Sequence, residues 1–276
     1  MKPYHYYSFL LLSCLIHLAC INSKNKENKI PQQGNPASTS YDSTAKTIHV
    51  FVALCDNAHQ GIVPVPKAIG NGQDPANNLY WGCQYGIKTY FNRSNEWKLI
   101  RKQKLNSLIL ERLVYKHRSK NYYLIADAYN GKEIKQCTIN FLKSSSGQLK
   151  ETLQVDQKTI GISGNARLMA YIGHDGLMDF NLDNEFANVD KKKRDVIILA
   201  CYSKRFFGPH LDKKMVNPLV WTSNLMCPEA YSLHDALNGY MNNESNEQIQ
   251  QRAAAAYSKY QKCSLRAAKN LLVTGW

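Results

Sequence analysis

The sequence predicts an α/β fold with a mainly parallel sheet flanked by helices. Runs such as Ile48–Leu54 and Asp195–Ala200 are apolar almost throughout instead of alternating, the pattern of strands covered on both faces. These runs are separated by stretches whose apolar residues recur at helical spacing, the succession that builds such sheets. Chemically active side chains follow directly after several of the runs, at Cys55, Asp56, His174 and Cys201. Strand ends are where parallel sheets bind ligands.

The chain begins with an address. Lys2 supplies a positive start, and Phe9–Ala19 is an apolar run interrupted only by Ser13, Cys14 and His17, too short to anchor across a bilayer. Leu18-Ala19-Cys20 then gives way to a polar stretch. Small residues before a cysteine at this place resemble a bacterial lipobox, which implies cleavage after Ala19 and lipidation of Cys20. Leu11-Leu12-Ser13-Cys14 is a second candidate, and plain secretion with a cleaved peptide is the alternative. From Ser23 to Lys46 the residues are mostly Lys, Asn, Gln, Ser, Thr and Pro, which bury too little apolar surface to offset the entropy of ordering. The expected organisation is a signal peptide over 1–19, a lipidated cysteine with a disordered tether over 20–46, and one domain over 47–276. The expected location is the bacterial cell envelope, periplasmic or at the surface.

Within the domain, Ile48–Leu54 is the first strand. After a polar loop, Asp74-Pro75 reads as an N-cap with Pro at the first helical position. Ala76, Leu79, Tyr80, Cys83, Ile87, Tyr90 and Phe91 then share one helical stripe. Leu108–Tyr115 and Tyr122–Ala128 are expected strands, and Ile134, Cys137, Phe141 and Leu142 mark a helix. Arg167–Ile172 and Asp195–Ala200 are further strands, the first closing on Gly173-His174-Asp175-Gly176 and the second on Cys201. Asn217–Ser223 is a strand followed by a Pro228-led helix, and Ile249, Ala253, Ala256, Tyr260, Ala267 and Leu271 place one or two helices at the end.

Composition bounds the function. The chain has 276 residues, 44% hydrophobic and 20% charged, with 15 Gly and 9 Pro, which excludes collagen-like, coiled-coil and wholly disordered chains. The net charge of +14 suits an anionic partner, and export turns that expectation from nucleic acid to membrane or other envelope surfaces. Eight cysteines are too sparse for a disulfide-built miniprotein.

A thiol nucleophile needs a base to hold its proton and N–H donors for a developing oxyanion. Neighbouring parallel strands ending in His174 and Cys201 bring both side chains to one sheet edge. Each alone is more simply a turn histidine and a packed cysteine. Together they resemble the caspase-like fold shared by caspases, metacaspases, gingipains and legumains. The matching residues are Leu168-Met169-Ala170-Tyr171-Ile172-Gly173-His174-Asp175-Gly176 and Val196-Ile197-Ile198-Leu199-Ala200-Cys201-Tyr202-Ser203. The resemblance, loosely covering residues 47–240, implies a three-layer caspase-like fold and a cysteine endopeptidase without a metal or cofactor. It implies His174 as general acid/base and Cys201 as nucleophile. The Cys201 N–H and a glycine N–H near His174, assigned to Gly176, would form the oxyanion hole. The family has Gly directly after His, where this chain has Asp175, and Asp or Gln where this chain has Leu199. An inactive homologue binding a protein or polysaccharide partner is therefore the rival.

In the implied fold the end of the first strand lies beside the pocket for the residue before the cut. Asp56, with Asp74 beyond it, would there favour Arg or Lys, or else is a solvated loop acid. Trp221–Met226 is either groove lining, with Trp221 as the substrate-binding residue, or core. Lys204-Arg205 and Lys213-Lys214 follow Cys201, where related enzymes are cut for activation. His174-Asp175 with Asp179 and Asp183 suggests a metal site only weakly, since an HD-type phosphohydrolase carries its pair on a helix, and no CxxC or HExxH spacing occurs. The expected partners are a protein or peptide substrate and, through the anchor, a membrane, with no nucleic acid.

Overall fold

Five parallel strands form the middle of one eight-stranded sheet, and the chain runs through it in a fixed direction. The computed structural model describes residues 40–276; the expected signal peptide, Cys14, Cys20 and the expected tether as far as residue 39 lie outside the described residues. The strands are β1 (Lys46–Ala53), β2 (Trp97–Gln103), β3 (Ile109–His117), β4 (Tyr122–Tyr129), β5 (Lys150–Val155), β6 (Lys158–Ser163), β7 (Leu168–Gly173), β8 (Arg194–Leu199), β9 (Val216–Thr222) and β10 (Leu272–Val273). The helices are α1 (Ile87–Arg93), α2 (Ile134–Ser145), α3 (Ser203–Phe207), α4 (Ala230–Met241), α5 (Asn246–Gln261) and α6 (Leu265–Leu271). The sheet order is β10-β9-β8-β7-β1-β4-β3-β2, with β10, β3 and β2 antiparallel to their neighbours and β5–β6 a separate hairpin. No helix among the described residues is long and apolar enough to cross a membrane.

The apolar runs are continuous because both sheet faces are covered. Ile48, Val50, Val52 and Leu54 of the β1 segment pack with Leu233 and Leu237 of α4 and Ile249 and Ala253 of α5. On the opposite face Phe51, Met169 and Tyr171 meet Cys137, Phe141 and Leu142 of α2 and Phe207 of α3. The hairpin closes the same face beside β3 and β4, where Val155, Ile160 and Ile162 cover Val114 and Ile125.

Two expectations change. The helix anticipated from Ala76 forms only as α1, and residues 75–86 make successive turns. Asn78 is the cause: its amide accepts from the Cys55 N–H at 3.1 Å and donates to the Cys55 carbonyl at 2.8 Å, binding this segment to the end of β1. Asp74 still caps, accepting from the Ala76 N–H at 2.9 Å, but no helical turn follows. Ordered packing also starts before Thr47: the Asp42 N–H donates to the Thr159 carbonyl at 2.8 Å and Ala45 is buried.

A buried polar group fixes the register at the sheet centre. Asp127 of β4, fully buried, accepts from Arg112 Nε and Nη2 at 2.6 Å each and lies 2.9 Å from His49 Nε2 of β1. His49 Nδ1 accepts the Ser163 N–H at 3.0 Å, so the same ring secures the hairpin. Burial pushes the Asp127 carboxyl up, but Arg112 and His49 more than offset this and hold it below the ordinary carboxylate value. A depressed carboxylate adds stability above its unfolded pKa and loses it as pH falls through the folded one. Asp127→Asn leaves Arg112 buried without its partner and is expected to cost about 3–5 kcal/mol in urea unfolding at pH 7. The variant is also expected to lose the acid-side fall in stability that this carboxylate produces.

Candidate functional site

The ends of β1, β7, β8 and β9 open onto one cleft of about 410 Å³. It is lined by residues 61–65 after β1, Gly173 and His174 after β7, Cys201 after β8 and Leu225–Glu229 after β9. The position follows from topology. β4 adds to one side of β1 and β7 to the other, and α/β sheets hold ligands at such reversals, outside the carboxyl ends. The side chains sequence reasoning paired, His174 and Cys201, are therefore brought to the same cavity.

His174 is set by the turn that follows β7. Gly173 has φ +145°, and a Cβ there would lie 2.6 Å from the Ala53 carbonyl oxygen, so the close approach of β7 to β1 requires glycine. The His174 ring is almost buried, with Nε2 2.7 Å from Asp179 Oδ2 and the backbone carbonyl accepting from the Tyr171 hydroxyl. The same Asp179 oxygen accepts the Gly61 N–H at 2.9 Å, tying the ring to the loop after β1. A carboxylate on Nε2 keeps the hydrogen there and leaves Nδ1 as the basic nitrogen.

Cys201 is half-buried at the end of β8. The chain turns sharply after it, with Tyr202 at φ 49°, ψ 28°. Ser203 and Thr222 clamp the turn: the Ser203 N–H donates to Thr222 Oγ1 at 3.0 Å, and Thr222 Oγ1 donates to the Ala200 carbonyl. The thiol sits against the main chain after β9, accepting from the Met226 N–H at 3.4 Å and facing the Met226 carbonyl at 3.6 Å. No hydrogen bond joins it to His174 among the described residues; each side chain approaches the cleft from its own strand.

Three of the expected site residues do not line this cleft. Gly176 is buried away from the cleft, with a would-be Cβ 2.7 Å from Phe180 and 3.2 Å from Ile134, and Gly173 is the glycine that lines it. Asp56 is consumed by its own loop, accepting from the Ala58 N–H at 3.0 Å and Gln73 Nε2 at 2.7 Å and lying 3.0 Å from His59. Trp221 belongs to the core: its indole N–H donates to the Gly275 carbonyl at 3.0 Å and its ring meets Trp276 edge-on, while Leu225 and Met226 reach the cleft. Lys204 and Arg205 lie within α3 instead of an open loop, whereas Lys213 and Lys214 are exposed in a turn before β9.

Two participants were not foreseen as site residues. Asp179 was considered only in a metal cluster, and nothing in the sequence marks it as the partner of a histidine one turn earlier. Among the described residues Glu229 is the one carboxylate lining the cleft; its Oε2 is held by the Tyr231 hydroxyl at 2.8 Å and Gln261 at 3.1 Å. The other walls are apolar, and Val63, Met178 and Leu225 stand exposed at its rim.

Searches against protein-family models, curated proteins and solved structures find no match to this chain. The chemistry of the cleft must be argued from its own residues.

Charge tunes the thiol. Burial pushes the Cys201 thiol up; the Met226 N–H opposes this, and the Asp175 carboxylate adds to it. Asp175 is itself pushed up to about 7, first by burial, against the Leu177 N–H and with the charge of Asp179. Its Oδ1 caps the following turn through that N–H at 3.1 Å, while Oδ2 has no partner among the described residues. An acid whose folded pKa is raised adds stability below its unfolded value and loses it as pH rises through the folded one. Stability is thus expected to fall between about pH 4 and pH 7 by at most about 4 kcal/mol, and Asp175→Asn, which keeps the cap, should remove that slope in urea titrations. In the same variant the pH midpoint for alkylation of Cys201 is expected to move down; an unchanged midpoint would sever Asp175 from the thiol.

Proposed function

We propose that this chain is an exported, lipid-anchored cysteine endopeptidase with a caspase-like arrangement, acting in the bacterial cell envelope. The observation that carries the reading is the convergence of His174 and Cys201, from the ends of two adjacent parallel strands, on one apolar cleft. The orientation of His174 by Asp179 supports it further, because it leaves Nδ1 free to take a proton. Cys201 passes its proton to His174 as its sulfur attacks the carbonyl carbon of the scissile peptide. The C–N bond breaks as the imidazolium protonates the leaving amine, and water then hydrolyses the thioester with the same ring as base. Main-chain N–H groups at Cys201 and Gly173, both residues of the cleft lining, are the donors this scheme assigns to the oxyanion.

An extended peptide suits a cleft with apolar walls and exposed Val63, Met178 and Leu225 at its rim. Glu229 replaces Asp56 as the carboxylate for a basic side chain before the cut. The walls accept the alkyl stem of Lys or Arg, and the carboxylate its charged head.

A second reading, a catalytically silent binding protein on the same fold, is favoured by the raised Cys201 thiol and its contacts to the Met226 main chain. Peptide-library cleavage by the purified protein separates the two. Under the enzyme reading an iodoacetamide probe maps to Cys201 by mass spectrometry. Cys201→Ala then lowers turnover at least about 1,000-fold. Glu229→Gln lowers kcat/KM about tenfold for peptides with Lys or Arg before the cut and leaves other peptides unchanged. Absence of both labelling at Cys201 and cleavage after Arg, Lys, Asp or Asn would sink the enzyme reading.

A further inference from the structure

The edge of the sheet opposite the cleft has a consistent charge. Each of the five parallel strands begins at or just after a basic residue: Lys46 opens β1, Lys120 precedes β4, Arg167 precedes β7, Lys193 precedes β8 and Lys214 precedes β9. Lys191 and Lys192 extend the β8 position, and Lys213 extends that of β9. All of Arg167, Lys191, Lys192, Lys193, Lys213 and Lys214 are exposed, and none forms an ion pair among the described residues.

Four carboxylates at this edge are engaged elsewhere. Asp42 faces Lys158, Asp190 holds Arg194 and Lys150, and Asp195 accepts from Asn217 and the Tyr240 hydroxyl. Asp212 caps its own turn through the Lys214 N–H. The loops at the cleft end hold the carboxylates Asp56, Asp175, Asp179 and Glu229, and the basic Lys259, Lys262 and Arg266 lie near the same end. Because parallel strands separate their starts from their ends, these carboxylates and the basic row lie at opposite edges of the sheet.

We propose that the basic edge is a docking surface for an anionic lipid bilayer, which holds the cleft facing away from it. The choice of a membrane rests on where the chain enters. Tyr41 and Ser43 share a shallow groove with Arg167, Lys192 and Lys193 on this edge. The proposed acylated Cys20 lies about twenty residues upstream of that entry in the sequence. An anchor there keeps this edge next to the lipid headgroups, where each Lys or Arg adds attraction that salt screens. The proposal rests on the export reading for its occupant, and not on the peptidase reading.

Vesicle cosedimentation of the full-length chain tests it. Cell-free synthesis adds no acyl group, and the readout is the excess binding to phosphatidylglycerol/phosphatidylcholine vesicles over phosphatidylcholine vesicles alone, which cancels any contribution of the apolar leader. The expected result is excess binding in 50 mM salt that disappears in 500 mM. Replacing Lys191, Lys192 and Lys193 together by Gln should lower it about 100-fold. Replacing Lys259, Lys262 and Arg266 by Gln, which removes the same charge near the cleft end, should change it less than about twofold. Equal losses in the two triple variants would reduce the effect to net charge and overturn the docking edge. Tighter retention on duplex DNA than on the anionic vesicles at equal salt would overturn the membrane as its occupant. Cleavage assays on the same proteins read the peptidase proposal separately, since neither triple removes a cleft residue.

Discussion

The direction of the parallel strands is the constraint on which the rest of the structure depends. Five strands side by side with one polarity need long crossovers, and these place helices on both faces. Both faces are then dry, so each strand is apolar almost throughout and little polar chemistry can sit along it. What remains for function is the two edges. His174 and Cys201 stand just past the last residues of β7 and β8. Asp127 is the exception that supports the rule: a charge placed mid-strand survives because Arg112 and His49 satisfy it completely, and that triad aligns β3, β4, β1 and the hairpin.

The parallel block was legible because burial on both faces writes itself into sequence as unbroken runs of Val, Ile, Leu, Ala and Met. β2 was not, since Trp-Lys-Leu-Ile-Arg-Lys-Gln lies at the sheet's outer edge and buries only Trp97 fully, its remaining residues half-exposed or exposed. The hairpin residues Lys150–Ser163 were missed for a related reason. Their strands alternate weakly, and their apolar residues face β3 and β4 rather than a helix. The stripe from Ala76 to Phe91 misled because helical spacing describes only local periodicity. Asn78 bonds to Cys55, a residue distant in sequence, and Trp81 donates to Glu111 at 2.8 Å, so tertiary hydrogen bonds outweighed the local preference.

The same division applies to the cleft. His174 and Cys201 could be paired because strand ends are predictable, and with them the edge of the sheet to which they belong. Side-chain direction in loops is not predictable in that way. Asp56 and Asp179 look alike in sequence, each an acid shortly after a strand, yet Gln73, His59 and Ala58 enclose one while the other binds His174 and Gly61. Trp221 differs from Leu225 and Met226 by being still within β9, where every residue from Pro218 to Thr222 is buried. Its indole therefore packs under Trp276, and the residues beyond the strand reach the cleft.

Asp175 links these levels. Asp175 stands between His174 and Gly176, and Gly173, the last residue of β7, is the glycine that lines the cavity. The Asp175 carboxyl is buried with one oxygen unpartnered among the described residues, so its ionised form is disfavoured and its charge works against a neighbouring thiolate. Near neutrality it stands close to the midpoint of its own titration, and the environment of Cys201 then depends on a proton that belongs to neither His174 nor Cys201.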